Sequence, residues 1–193
     1  TATNTAGSQR LSSGSEIITA VETRQEILIW TDASLYSMRF VGPPFTFSFN
    51  LLASNLSVMA PKAAISAGER VFWMDTENFF MYAGQIQAIP CTVLRYVFDD
   101  MNYEQRLKFF AASNRMFDEV FWFYCSSDSS EVDRYAKYNY ADNTWDIGSL
   151  SRTAWVDFGL LSKPRGAGTV SDSNYIFDHE SGTTNDGLSL IHI

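Results

Sequence analysis

Apolar and polar positions alternate with a period of two along much of the chain, the spacing of strands that bury one face. Phe45, Phe47 and Phe49 alternate with Thr46, Ser48 and Asn50, which predicts a strand with one aromatic face. Further apolar runs rich in aromatic and β-branched residues occupy 17–21, 25–30, 35–41, 64–66, 70–74, 79–83 and 91–98. Such side chains fit a pleated, half-buried surface. Turn-forming residues stand between them: 31–34, Gly42-Pro43-Pro44, Ala67-Gly68 and 75–78. Proline ends a strand because it lacks the ladder donor, and Asp, Asn, Ser and Gly accept turn geometry. The centre of the chain, 119–148, reads as strand (120–125), turn (126–130), strand (133–140), Asp142-Asn143 turn and a short strand at Trp145. That is most of an antiparallel meander, and one meander alone cannot bury both faces. Strands at 152–158 and 175–179 follow.

One stretch departs from the period of two. Tyr103, Leu107 and Phe110 recur at helical spacing with Glu104, Arg106 and Lys108 between them. A short helix over 101–112 is expected, capped by Asp99 or Asp100. Residues 1–15 read as a polar linker or loop, and 163–173, rich in Gly, Pro and Ser, as a second loop.

Two hairpins overlay. Trp30, Asp32 and Met38 each have a counterpart of the same type 43 residues on, at Trp73, Asp75 and Met81. Trp122 lies 49 residues beyond Trp73, and Phe177 a further 55. Several short strands per repeat at this period predict propeller blades. The expected fold is all-β: a partial β-propeller over 16–187, with about three antiparallel blades and the start of another. Trp30, Trp73, Trp122, Trp145 and Trp155 are then inter-blade core rather than a ligand platform.

Composition agrees with sheet. Hydrophobic residues make up 46% of 193 and aromatics 15%, enough to bury a core. The net charge of −8 argues against a phosphate-gripping surface, since no basic stripe is present. An acidic wall can nevertheless border DNA without holding it. Cys91 and Cys125 are too few for a disulfide scaffold and read as buried thiols. No apolar run approaches a membrane span.

The ordered segments EILIWTDASLYSMRFVGPPFTFSF, VFWMDTENFFMYAGQIQAIPCTVLRYVFDDMN, EVFWFYC with DRYAKYNYADNTW, and YIFDHESGTTNDG resemble a known family. It is the β-propeller tail proteins of short-tailed bacteriophages, comprising packaged-DNA stabilisation proteins and tail nozzle proteins. The resemblance runs from about residue 16 to 187. It implies a structural virion protein of the tail, assembled as a homo-oligomeric ring against neighbouring tail or portal-adaptor proteins. It implies packaged DNA nearby without sequence-specific binding, and no membrane. It supplies no catalytic, cofactor-binding or metal-binding residues. The last residues, LSLIHI (188–193), resemble a translated sequencing adapter, so a non-native tail is expected there.

Several polar groups remain as candidate chemistry. Asp99, Asp100 and Glu104 lie near Arg95 and Arg106, a pattern better explained by a helix cap and surface pairs. Asp178, His179 and Glu180 are consecutive, and consecutive strand residues point to opposite faces, so they should not converge on a metal. Residues 141–145 are only faintly like the Asp-box of sialidase propellers, and Asn55-Leu56-Ser57 fits the glycosylation triplet. His179 has no plausible nucleophile partner. By position alone, 61–68 and 163–173 are the expected contact loops. The competing expectation is a carbohydrate-binding or receptor-binding propeller module.

Overall fold

The computed structural model describes residues 8–158, 163–170, 173–181, 184–185 and 188–189. It is all-β with little helix. The first sheet runs β1 (Ile17–Glu22), β2 (Ile27–Thr31), β3 (Ser34–Gly42) and β4 (Thr46–Ser54), each paired antiparallel with the next. The second repeats the pattern with β5 (Ala64–Ala67), β6 (Arg70–Met74), β7 (Phe79–Tyr82) and β8 (Ile86–Ala88). The third is β9 (Phe110–Asn114), β10 (Glu119–Tyr124), β11 (Arg134–Asn139) and β12 (Thr144–Ser149). A fourth, three-stranded sheet holds β13 (Ala154–Val156), β14 (Arg165–Val170) and β15 (Ser173–Asp178). A two-residue pair, β16 (Thr184–Asn185) with β17 (Leu188–Ser189), follows. The LSLIHI segment beyond Ser189 lies outside the described residues.

The sheets stand in a row. β1 touches β5, β5 touches β9 and β9 touches β13, so the first strands of successive sheets share one side. The row does not close on itself within this chain. Its core lies between the sheets. Trp30 meets Trp73 edge to face at 5.3 Å. Phe79 reaches across to Trp122 at 4.6 Å and Trp145 at 4.7 Å. Phe121 and Phe123 pack on Trp155 at 5.6 and 5.9 Å. All five tryptophans therefore sit where sheets meet, as the strand pattern led one to expect.

The repeat is real, but the 43-residue overlay is one residue out. Trp30 pairs with Leu35 and Met74 with Phe79, each just before a turn of the same length. Trp30 thus occupies the position of Met74, and Ile29 that of Trp73. A one-residue slip moves a side chain to the other face of a strand. Trp73 and Trp122 point back towards the preceding sheet, whereas Trp30 points forward to the next one. Phe177 departs further, since it lies on the third strand of its sheet rather than the second.

Two predicted elements change type. Residues 91–98 form no strand; Leu94–Asp99 is a short α-helix, α1. The helix expected over 101–112 is only a 3-10 turn, Tyr103–Lys108, followed by strand β9. Of its expected apolar stripe Leu107 is 73% exposed and Tyr103 43%, while Phe110 is buried as part of β9. This segment links the outer strand of one sheet to the first strand of the next, and the third sheet needs Phe110–Asn114 as its opening strand. Tertiary demand overrides a local helical period. Neither Asp99 nor Asp100 caps the turn; the Asn102 side chain accepts the Glu104 amide at 3.2 Å. The Gly-rich stretch expected as a loop holds β14.

Residues 12–16 strap the first sheet. The Tyr36 hydroxyl accepts the Ser13 amide at 2.8 Å, and Asp32 accepts the Ser15 amide at 2.7 Å and its hydroxyl at 2.6 Å. Gly14, at φ +92°, passes so close to Thr31 that an added Cβ would lie 2.4 Å from its hydroxyl.

Candidate functional site

The polar residues singled out from sequence disperse. Asp100 lies 3.9 Å from Arg134, an ion pair to the third sheet rather than to Arg95 or Arg106. Asp178 pairs with Arg165 at 2.6 Å, Glu180 accepts the Asn114 amide at 3.1 Å, and His179 packs on Trp155 at 4.4 Å. The three consecutive residues thus serve three different neighbours. His179 accepts a hydrogen bond from Arg152 Nε at 3.0 Å. Burial, then the Arg152 charge, pull its pKa down to about 4, so it is a neutral acceptor. Among the described residues no group of three His, Cys, Asp or Glu could hold a metal ion.

Asn143 takes the left-handed turn position at φ 57° and accepts the Tyr138 hydroxyl at 2.8 Å, a fold role for the Asp-box-like stretch. Cys91 and Cys125 are free thiols, and burial pushes both up to about 11. A thiol so placed is a poor nucleophile. A surface hollow of about 480 Å³ lies beside α1, lined by Cys91, Val93, Arg95, Tyr96 and Ile147 among others. It contains no carboxylate or imidazole, hence no acid–base pair.

Of the two expected contact segments, 61–68 is not a free loop. It carries β5, and the carbonyl of Ala63 accepts Trp122 Nε1 at 3.2 Å. The aligned first strands β1, β5, β9 and β13 read IITAVE, AISA, FAASN and AWV. Glu22 is their only charged residue. The side of the row where they meet is therefore poor in charge, with the exposed Lys62 joined to β9 beside it.

Two features escaped the sequence. Glu26 is buried between the first and second sheets, where it accepts Arg39 Nε at 2.8 Å and the Tyr82 hydroxyl at 2.5 Å. Burial alone would raise its pKa, but hydrogen bonds from Arg39, Tyr82 and Ser37 overcome that and hold it below the usual carboxylate range. Partners 13 and 56 residues away leave no local signature. The second is the β3–β4 arm, nine residues per strand against four and three in the second sheet. Its far end is apolar and solvent-facing: Phe40 is 71% exposed and Phe45 81%. The alternating phenylalanines were visible in sequence, but their projection beyond the sheet was not.

What these elements define is a row of antiparallel meander sheets with aromatic seams and no convergent reactive cluster among the described residues. No family model matches the chain, and no curated protein does. Among solved structures it is similar to the extracellular domain of a putative one-component system from B. thetaiotaomicron, with a TM-score of 0.54 and 9% identity. The match takes in 95% of this chain but only 25% of that one. At that identity the likeness concerns the fold alone.

Proposed function

We propose that the chain is part of a β-propeller in the tail of a short-tailed phage, a non-enzymatic virion component that retains packaged DNA and borders its exit path. The observation that carries this reading is the succession of meander sheets with their first strands side by side. It matches the order of the segments that resemble the tail-protein family. The ring would be mechanical: aromatic seams between sheets give stiffness, and side chains at the inner edge have little with which to grip. That edge carries few charges, Glu22 and the neighbouring Lys62 among them, so the excess negative charge lies on the outer strands and turns. A wall with so few cations, the exposed Lys62 beside β9 among them, offers phosphates little to pair with, which suits a conduit for DNA. Neighbouring tail or portal-adaptor proteins and further copies of the chain would complete the assembly in the virion.

The test is deletion of the gene from the phage that carries it, followed by electron microscopy of the particles. The reading expects heads that package and then lose their DNA. Particles that stay full and eject normally would overturn it. Saturable binding of the chain to a glycan array would favour a carbohydrate-binding or receptor-binding propeller module instead.

A further inference from the structure

The β3–β4 arm outruns its own sheet. β2 pairs with β3 only from Leu35 to Met38, whereas the β3–β4 ladder runs on through Phe40↔Phe47 to Gly42↔Thr46. Beyond Met38 the arm is a two-stranded ribbon, a form that is marginal on its own in water.

The ribbon is apolar on both faces and at its turn. Phe40 and Phe47 share one face and meet edge to face at 5.9 Å. Val41 follows Phe40 and so takes the other face, that of Arg39. Phe45 stands at the turn. All four side chains are solvent-facing, Val41 at 54% included. Arg39 reaches Glu26, which also binds Tyr82 of the second sheet, so Val41 is on the side where the second sheet is in place. It is bare there because the arm projects past the sheets, not for want of a neighbouring sheet.

The tip is also short of charge and of hydrogen-bond donors. No Asp, Glu, Lys, Arg or His occurs from Phe40 to Pro61, although 19% of the chain is charged. Pro43 and Pro44 carry no amide hydrogen. The Phe47 amide donates to the Phe45 carbonyl at 2.6 Å. An unpaired backbone donor or a charge is what makes immersion in lipid costly.

We propose that this tip, Phe40 to Phe47, inserts into the interfacial layer of a lipid bilayer. Docking on a protein uses one apolar face bordered by a polar rim. A tip that is apolar all round, uncharged and poor in free donors is suited to immersion instead. Phe40 lies three residues behind Pro43, ~10 Å at the rise of a strand. That matches the depth to which interfacial elements sink between headgroups and acyl chains. Arg39, the first charged residue behind the tip, then falls at the headgroups. The net charge of −8 gives no attraction to anionic lipid, so the contact is apolar and the lipid zwitterionic. This departs from the expectation of no membrane, which rested on resemblance alone. It needs none of the ring assembly proposed above, so its failure would leave the DNA-conduit reading standing.

The test is flotation of the chain with phosphatidylcholine vesicles on a density gradient. The parent should float, and should still float in about 1 M NaCl, where charge attraction is screened within about 3 Å. Phe40→Ser combined with Phe45→Ser should lower the partition constant about a hundredfold, roughly tenfold per ring. Both positions are exposed, so circular dichroism should match the parent. Leu107→Ser, which removes an exposed apolar side chain elsewhere, should float like the parent. A parent that stays at the bottom overturns the proposal, as does flotation lost in salt or kept by the double variant. A parent that ignores vesicles but forms larger particles, which the double variant does not, has an arm made for protein, and the proposal falls. Should the double variant precipitate, Phe45→Trp decides. Its emission should be quenched by brominated phosphatidylcholine well beyond the parent's buried indoles, and equal quenching refutes insertion.

Discussion

Replacing Phe79 by alanine tests the seam between the second and third sheets. The ring is fully buried and lies 4.6 Å from Trp122, 4.7 Å from Trp145 and 5.4 Å from Phe98. Removing a buried phenylalanine costs about 3–5 kcal/mol through lost transfer energy and the cavity left behind. Three aromatic contacts, at about 0.5–1.5 kcal/mol each, place this site at the upper end of that range. A loss of about 4–5 kcal/mol should lower the midpoint of thermal unfolding by roughly 10–15 °C for a chain of this size. Denaturant titration followed by tryptophan emission reads both the stability and the seam, because Trp122 and Trp145 lose their shared neighbour. Phe79→Leu, which keeps most of the volume, should retain most of the stability. If Phe79→Ala costs under about 1.5 kcal/mol, in the range of an ordinary substitution, the sheets are not held together by this seam and the reasoning fails.

The two indoles at neighbouring seams should differ in cost. Trp122→Phe removes the indole hydrogen bond to the Ala63 carbonyl, which keeps the Met74 amide at 3.1 Å, and should cost about 1 kcal/mol beyond the volume change. Trp30 Nε1 has no partner, so Trp30→Phe removes an unsatisfied donor and should fall about 1 kcal/mol or more short of that cost in the same urea titration. Stability should also fall in two steps on acidification. His179, at about 4 against an ordinary 6.5, contributes stability that is whole above 6.5 and lost as pH falls towards 4. That loss, about 2–3 kcal/mol at most, should vanish in His179→Gln. Glu26 has a depressed pKa, so its contribution is whole above 4.5 and disappears as pH drops through the folded value; Glu26→Gln should flatten that limb of the curve. Cys91 and Cys125 should react with a thiol reagent at pH 8 far more slowly than a free cysteine until the chain is unfolded.

Sheet content, hairpin turns and the packing role of the tryptophans were legible because each is written in local alternation. The hairpins at Trp30 and Trp73 announced a repeat through shared residue types. Residue types do not reveal a one-residue slip, because both seams accept an indole whichever sheet supplies it. The stretch from Cys91 to Asn114 misled for the opposite reason: its local pattern is clear, but the need for a first strand in the third sheet decides its structure. The Glu26–Arg39–Tyr82 cluster was invisible, since only the stacking of two sheets brings those residues together.

The slip at Trp30 also bears on how the assembly responds to load. The seam between the first and second sheets holds two indoles that meet each other, and neither Nε1 finds an acceptor. The next two seams are each pinned by an indole hydrogen bond to a backbone carbonyl, at 3.2 Å and 2.9 Å. Pulled from its two ends, the chain should part first behind its first sheet, with the Tyr82 hydrogen bond to Glu26 and the exposed Arg24–Glu69 pair as the remaining polar links. Acid that weakens these links would turn a stiff wall into one that tears at a chosen line.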